Sequence, residues 1–392
     1  MLRLRILLIL SAFYLGAVAD NNDINTVNRI VDSVSRKYAP DKRTALFNVS
    51  SKEHSGQIVL KGKTNLSEAK RVVVDSLSLL KISYTDSIIV LPEVSVGEKT
   101  WAIATLSVAN IRSAPEHAAE LVSQALMGTP VKVLEIVDGW YLIQTPDQYI
   151  GWMEESGIAP KTEAEMAVWR QSKRFIFNQM AGNAVAAAKR NALPVSDLVL
   201  GDLFETVSQT KRYLQVKFSD GRTGFVKRSD CLDYEQWIAQ KPDLDAVLSI
   251  ARQLLGSAYL WGGTSCKAVD CSGMVKMAWF SQAVILSRDA SQQARYGKTV
   301  DFNTIGNLEK GDLLFFGRTA QRITHVGMYL GNGLYIHASG MVRINSIYPN
   351  DPLYNVTERK SLVGATRIEN GEGIVAVKDH SWYQGREQGQ GE

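Results

Sequence analysis

The 392-residue chain holds only five histidines and three cysteines, so its options for nucleophilic chemistry near neutral pH are few. Cys271 stands in the run VDCSGMVKMAWF. His325 and His337 follow it by 54 and 66 residues, at the two ends of HVGMYLGNGLYIH. An ordinary cysteine, with a pKa of about 8.5, is mostly protonated at neutral pH, and the thiolate is the reactive form. Asp270 is a good helix cap, and Met274, Val275, Ala278 and Trp279 recur at helical spacing. The pattern therefore predicts Cys271 at a helix N-terminus, where unpaired amides and the positive end of the helix dipole favour a thiolate. Ser272 and Gly273 are small enough to let a substrate carbonyl approach the sulfur. Backbone amides of Ser272 and Gly273, or that of Cys271, could hold the developing oxyanion. A thiolate also needs a base. Gly331, Asn332 and Gly333 form a turn signal, so the flanking runs should pair as a hairpin with both histidines at one end. A nucleophile, a base and a group that orients the base make a triad. In that scheme Cys271 is the nucleophile, His325 the base and His337 the orienting residue.

Blander readings of the same residues stay open at this point. Cys271 could be a buried structural cysteine, or could pair with Cys266 as a disulfide, which would end its reactivity. Cys271, His325 and His337 could hold zinc, but no C-x-x-C or H-E-x-x-H spacing supports a metal, and none is expected. Cys266 reads as a loop cysteine and Cys231 as a core filler. His54 and His117 read as surface or loop residues, and His380 as part of a polar tail. No cofactor is called for.

These residues need a scaffold. Hydrophobic residues make up 45% of the chain and charged residues 21%, which is a globular composition long enough for several domains. A net charge of +4 gives no argument for nucleic acid. Residues 1–19 have the form of a signal peptide. Arg3 and Arg5 precede a short apolar run, and Ala17 and Ala19 give A-x-A spacing. The expectation is an exported protein, periplasmic or secreted, without stable membrane insertion.

Residues 20–98 read as a small α+β unit. INTVNRIVDSVSRKY puts Ile24, Val27, Ile30, Val31 and Val34 on one helix face, and NLSEAKRVVVDSLSLL has Asn65 and Glu68 in capping-box spacing. Residues 99–160 change to short alternating strands with a D-G turn before Trp140, an all-β pattern with Trp140 and Trp152 as core. Residues 161–192 are Ala-rich and read as a helical connector. Residues 193–239 read as a second small β unit, again with a D-G turn. Residues 240–378 run from helices through the cysteine loop to short strands bounded by glycine. Residues 379–392 read as a polar tail. A helix that presents a cysteine, followed by an antiparallel sheet that presents histidines, is the arrangement of papain-like α+β folds.

The last segment resembles the NlpC-type family of bacterial cell-wall cysteine peptidases. The matching runs are YLWGG (259–263), DCSG (270–273), GDLLFF (311–316), HVGMYLGNG (325–333) and IHA (336–338). Both β units resemble bacterial SH3-like domains, the first through VANIRSAP, DGWYLI and YIGW. The resemblance implies Cys271, His325 and His337 as the triad and Tyr259 as the tyrosine near the nucleophile. With SH3-like modules in front, the chain is similar to the γ-D-glutamyl-L-diamino acid endopeptidases, the dipeptidyl-peptidase VI group. That similarity implies peptidoglycan-derived peptides with a free N-terminal L-Ala as substrates and L-Ala-D-Glu as product. It also implies groups that bind the free amine. SRDASQQ points to Asp289 with Ser291 nearby, and HAAELVSQ and DQYIGW point to Glu120 and Tyr149. An ammonium flanked by two carboxylates would select against a blocked amine, which would leave both charges buried and unpaired. Asp289 has a rival role as a helix cap. The competing functions are a wall-binding protein without catalysis, an acyltransferase on the same scaffold and an endopeptidase on intact wall.

Overall fold

The computed structural model describes residues 23–54, 57–369 and 371–384. The signal peptide expected at residues 1–19 lies outside the described residues, as does the end of the expected tail. The chain divides into two units, one ending at Gly97 and the other beginning at Glu98.

In the first unit the helix Asp23–Tyr38 buries Val27, Ile30, Val31 and Val34, the stripe its periodicity predicts. A three-stranded sheet takes the other side of this core. Strand Phe47–His54 runs antiparallel to Gln57–Thr64, and Tyr84–Val90 runs parallel to it. The helix Ser67–Leu79 makes the crossover, but without the capping box expected of Asn65 and Glu68. The Asn65 side chain instead accepts the Leu46 amide at 2.9 Å. Tying down the preceding loop takes the cap's oxygen away from the helix.

The second unit holds two seven-stranded antiparallel sheets, from Trp101 to Lys161 and from Arg174 to Asp233, and then a mixed domain. In the first sheet the D-G turn is realised with Asp138 and Gly139 both left-handed, at φ 46° and 79°. The helical reading of residues 161–192 needs correction. The helix stops at Gln171, after a capping box from Thr162 and Glu165. Arg174–Phe177 and Ala181–Val185 are strands of the second sheet. Alanine favours helix only weakly. Phe175 and Phe177 gain more by pairing with neighbouring strands and entering the module's core, where they are at most 1% exposed. The polar-tail reading of His380 also fails. His380 is 4% exposed and donates Nε2–H to the Pro146 carbonyl at 3.0 Å, while Trp382 and Tyr383 beside it are buried.

The last domain is built on a six-stranded antiparallel sheet, in the order Lys298–Thr299, Leu362–Arg367, Leu313–Thr319, Arg322–Gly331, Leu334–Ser339, Met341–Ser346. The helix Cys271–Phe280 lies on it. Met274, Val275 and Ala278 of the helix share one core with Leu313, Phe315, Val326, Met328 and Ile336 of the sheet. Almost every residue of this helix is buried, so its start is rigidly placed.

Candidate active site

The helix begins where the sequence predicts. Asp270 is its N-cap and accepts the Gly273 amide at 2.7 Å. Its second oxygen accepts the Gly262 amide at 3.0 Å, which ties the YLWGG loop to the same carboxylate. Gly273 has no room for a side chain: a Cβ there would meet the Gly263 carbonyl oxygen at 2.0 Å. Cys271 is thereby held at the first position of the helix, 6% exposed. The three cysteines are free thiols. Cys266 does not bridge to Cys271; its sulfur lies 2.7 Å from the Met180 carbonyl oxygen. Cys231 fills the second module's core, as expected.

Both histidines come to one end of the hairpin. Its turn runs through Gly331, Asn332 and Gly333, all at positive φ. Gly327 stands opposite His337 in the register, which makes His325 the diagonal neighbour of His337 on the same face. The rings meet with His325 Nε2 2.8 Å from His337 Nδ1. The absence of a side chain at 327 matters, because a Cβ there would lie 3.0 Å from the Ile336 oxygen and 3.1 Å from the His337 Cβ. The Val326 amide, next to His325, donates toward the Cys271 sulfur. Helix start and hairpin therefore converge on one point.

Burial pushes the Cys271 thiol up to about 11, with Asp270 adding to it, against the pull of the Val326 and Ser272 amides and of Arg288. The helix end does favour the thiolate, as expected, but burial outweighs it in the free protein. Burial, helped by His337, pushes His325 down to about 3, so its ring is neutral and able to take a proton. Burial likewise holds His337 below the ordinary histidine value, although Glu358 and Asn345 oppose this. The sequence reading missed these last two residues. Asn345 Oδ1 lies 2.9 Å from His337 Nε2, and Glu358 Oε2 lies 3.5 Å from it. His337 pairs with Arg343 in the sheet, so strand alternation puts Asn345 on the His337 face. Glu358 comes from a short helix with no local signal.

The remaining expected residues are placed as follows. Tyr259 is half-buried beside the nucleophile. Burial, then Cys271 and Asp270, raise its phenol above the ordinary range. The Ser272 hydroxyl is buried and serves structure, lying 3.3 Å from Asp270 Oδ1 and 3.1 Å from Arg288 Nη1. Asp289 caps the short helix Ala290–Gln293 in a capping box with Gln292, and its carboxylate lies 3.9 Å from Arg288. Its rival role as a cap is thus realised. Ser291 sits half-buried on that helix. Tyr149 is buried close enough to Arg288 to act on its charge. Glu120 is exposed and accepts the Trp261 indole N–H at 2.6 Å, so the first β module reaches the loop beside Cys271. Trp261, in YLWGG, carries this contact with 61% of its surface exposed. A second tie between the same parts is the Lys276–Asp147 ion pair at 2.8 Å. Burial pushes the Asp147 carboxyl up, but Lys276 and Thr145 outweigh it and hold it below the usual carboxylate range.

Comparison with known proteins agrees with this layout. The NlpC/P60 family profile matches residues 256–361, and that of the bacterial dipeptidyl-peptidase SH3 domain matches residues 111–158. A protein named dipeptidyl-peptidase 6 from Lysinibacillus sphaericus is 30% identical over 265 residues, 64% of this chain and 94% of the relative. A gamma-D-glutamyl-L-lysine dipeptidyl-peptidase from Bacillus cereus is 27% identical over 256 residues, 61% of this chain and 73% of the relative. The fold is shared with a Bacillus cereus NlpC/P60 family protein of known structure. Their TM-score is 0.59 at 22% identity, covering 68% of this chain and 99% of that one.

Proposed function

The chain belongs to the NlpC/P60 family of cysteine peptidases, and from that membership we propose that it hydrolyses the γ-D-glutamyl–diamino acid bond of peptidoglycan peptides with a free N-terminal L-Ala, releasing L-Ala-D-Glu. One observation carries this reading: His325, 2.8 Å from His337, lies on the strand whose Val326 amide donates toward the Cys271 sulfur. The relatives named dipeptidyl-peptidase 6 and gamma-D-glutamyl-L-lysine dipeptidyl-peptidase, and the matched SH3 module, support the choice of bond.

In this mechanism Cys271 gives its proton to His325 as the sulfur attacks the γ-carbonyl carbon of D-Glu. The oxyanion is held by backbone amides at the helix start. The C–N bond breaks, and protonated His325 gives its proton to the departing α-amine of the diamino acid. Water, losing a proton to His325, then cleaves the thioester and restores the thiol. His337 orients the base. Glu120, Tyr149 and Asp289 are the groups we assign to the substrate's free ammonium, with Ser291 beside Asp289, and Tyr259 is assigned to the substrate next to the nucleophile. We also propose that the protein is exported, as expected from residues 1–19, and meets these peptides outside the cytoplasmic membrane.

The test compares purified wild-type and Cys271→Ala protein on L-Ala-γ-D-Glu-diamino acid peptides, with free and acetylated N-termini. Dipeptide release from the free peptide by wild type alone is expected. Equal cleavage of both peptides would instead favour an endopeptidase of intact wall, and retained release by Cys271→Ala would refute the thiol mechanism. Transfer of the dipeptide to an added amine would mark an acyltransferase.

A further inference from the structure

The hydrogen bonds behind the two histidines specify where each proton sits, beginning from the outermost atom. Asn345 Nδ2 lies 2.7 Å from the Leu353 carbonyl oxygen. A carbonyl oxygen only accepts, so the nitrogen of the side-chain amide must face it. That turns the Asn345 oxygen toward His337, 2.9 Å from Nε2. This oxygen also only accepts, so Nε2 of His337 carries a hydrogen. Glu358 Oε2, 3.5 Å from the same nitrogen, is a second acceptor, itself held by the Tyr335 hydroxyl at 2.5 Å. His337 is fully buried, with 0% of its surface exposed, in a position that disfavours a second proton. Its Nδ1 therefore presents a lone pair. His325 Nε2, 2.8 Å away, must be the donor to it. A neutral His325 with hydrogen on Nε2 has none on Nδ1.

We propose that Asn345 is a positioning residue that selects, through His337, the His325 tautomer whose Nδ1 is free to accept the thiol proton. The wrong tautomer would place a hydrogen on the nitrogen that has to act as base, and the proton could not be taken up without a ring flip or a second exchange. The inference rests on the reading of Cys271 and His325 as the reacting pair, but its primary readout does not depend on activity.

Long-range proton–nitrogen correlation spectra of the 15N-histidine-labelled protein at neutral pH report each ring's tautomer directly. Wild type is expected to show Nε2–H on both His325 and His337. Asn345→Leu, of similar shape but without the acceptor, should show a mixed or Nδ1–H population on these rings. Its kcat should fall about 10- to 100-fold with KM nearly unchanged, the scale on which loss of an outer hydrogen-bond partner acts. Asn345→Asp keeps an acceptor on His337 and should keep the wild-type tautomers and most of kcat. An Nδ1–H signal from His337 in wild type would overturn the proposal. So would wild-type tautomers in Asn345→Leu, which would leave Glu358 as the selector. If Asn345→Leu does not fold, the wild-type spectrum and Asn345→Asp still decide. A Cys271→Ala protein that kept full activity would remove the catalytic reading and leave the tautomer result standing.

Discussion

The Arg288 guanidinium lies across the Asp270 carboxylate, with Nη2 2.5 Å from Oδ2 and Nη1 3.2 Å from Oδ1. Both side chains are buried, and Asp270 is the cap of the helix that starts at Cys271. Arg288 also reaches the Ser123 hydroxyl at 3.2 Å, in a strand of the first β module. One buried cation thus joins the nucleophile's helix to the module in front of it.

Arg288→Met leaves the Asp270 carboxylate buried without its cation. Loss of one partner of a buried pair costs about 3–5 kcal/mol, whereas loss of both is milder. Denaturant unfolding of Arg288→Met, Asp270→Asn and the double variant should show the double losing clearly less than the sum of the singles. A single-variant loss under about 1 kcal/mol would show that the amide bonds alone hold Asp270.

Gly327→Ala tests how tightly the hairpin fixes His337. The new methyl would press on the Ile336 oxygen and the His337 Cβ, at 3.0 and 3.1 Å, and neither is the end of a flexible chain. Overpacking of this kind costs about 1–3 kcal/mol. It should also shift His337 and lower kcat more than it raises KM. Wild-type kinetics in a folded Gly327→Ala protein would mean that the strand has slack.

Glu120→Gln removes a charge where we expect the substrate ammonium, yet keeps an oxygen that Trp261 can still bond. A charge-assisted hydrogen bond contributes about 1.5–3 kcal/mol, so KM for free-amine peptides should rise about 10- to 100-fold with kcat largely kept. The acetylated peptide, tested as a competitive inhibitor, serves as control, and its inhibition constant should not respond. A uniform effect on both peptides would reduce Glu120 to a support for Trp261.

Parts of this arrangement could be read before any coordinates, and the divide has a physical basis. Cys271 at a helix start, the G-N-G turn and the paired histidines are local patterns, fixed by capping, turn chemistry and strand period. The buried stripe of Asp23–Tyr38 was legible for the same reason, since its apolar residues repeat every three or four positions. Asn65 and the Ala-rich 184–188 run misled because their local preference lost to long-range partners, the Leu46 amide and the strands of the second module. Arg288 and Glu358 gave no local sign of their roles. Each acts through a partner many residues away, and spacing in one sequence does not encode such a contact.

The depressed basicity of His325 sets the acid side of the pH profile. An ordinary histidine titrates near 6.5, whereas burial and His337 bring this one to about 3. Its neutral, proton-accepting form then persists through the mildly acidic range and is lost only as pH falls through the lowered value. The substrate α-amine stays protonated throughout that range and adds no limb. The acid limb of kcat/KM, which reports the free enzyme, should lie well below pH 6.5, within the range where the protein remains folded. An acid limb at or above 6.5 would show that His325 is not buried against a neutral His337.

His380 carries a related consequence for stability. Burial holds its pKa below 6.5 in the fold, although the Pro146 carbonyl and Asp147 oppose this. In the unfolded chain the ring takes up a proton as pH drops below about 6.5, and in the folded protein it does so only at lower pH. The unfolded state therefore binds more protons in that window, and stability falls as pH falls. One such histidine contributes a slope of up to about 1.4 kcal/mol per pH unit. Urea unfolding at several pH values between 7 and 5 should show a shallower loss in His380→Gln than in wild type, whatever the carboxylates add to both. Parallel curves would mean that the buried ring accepts its proton in the fold as readily as in water.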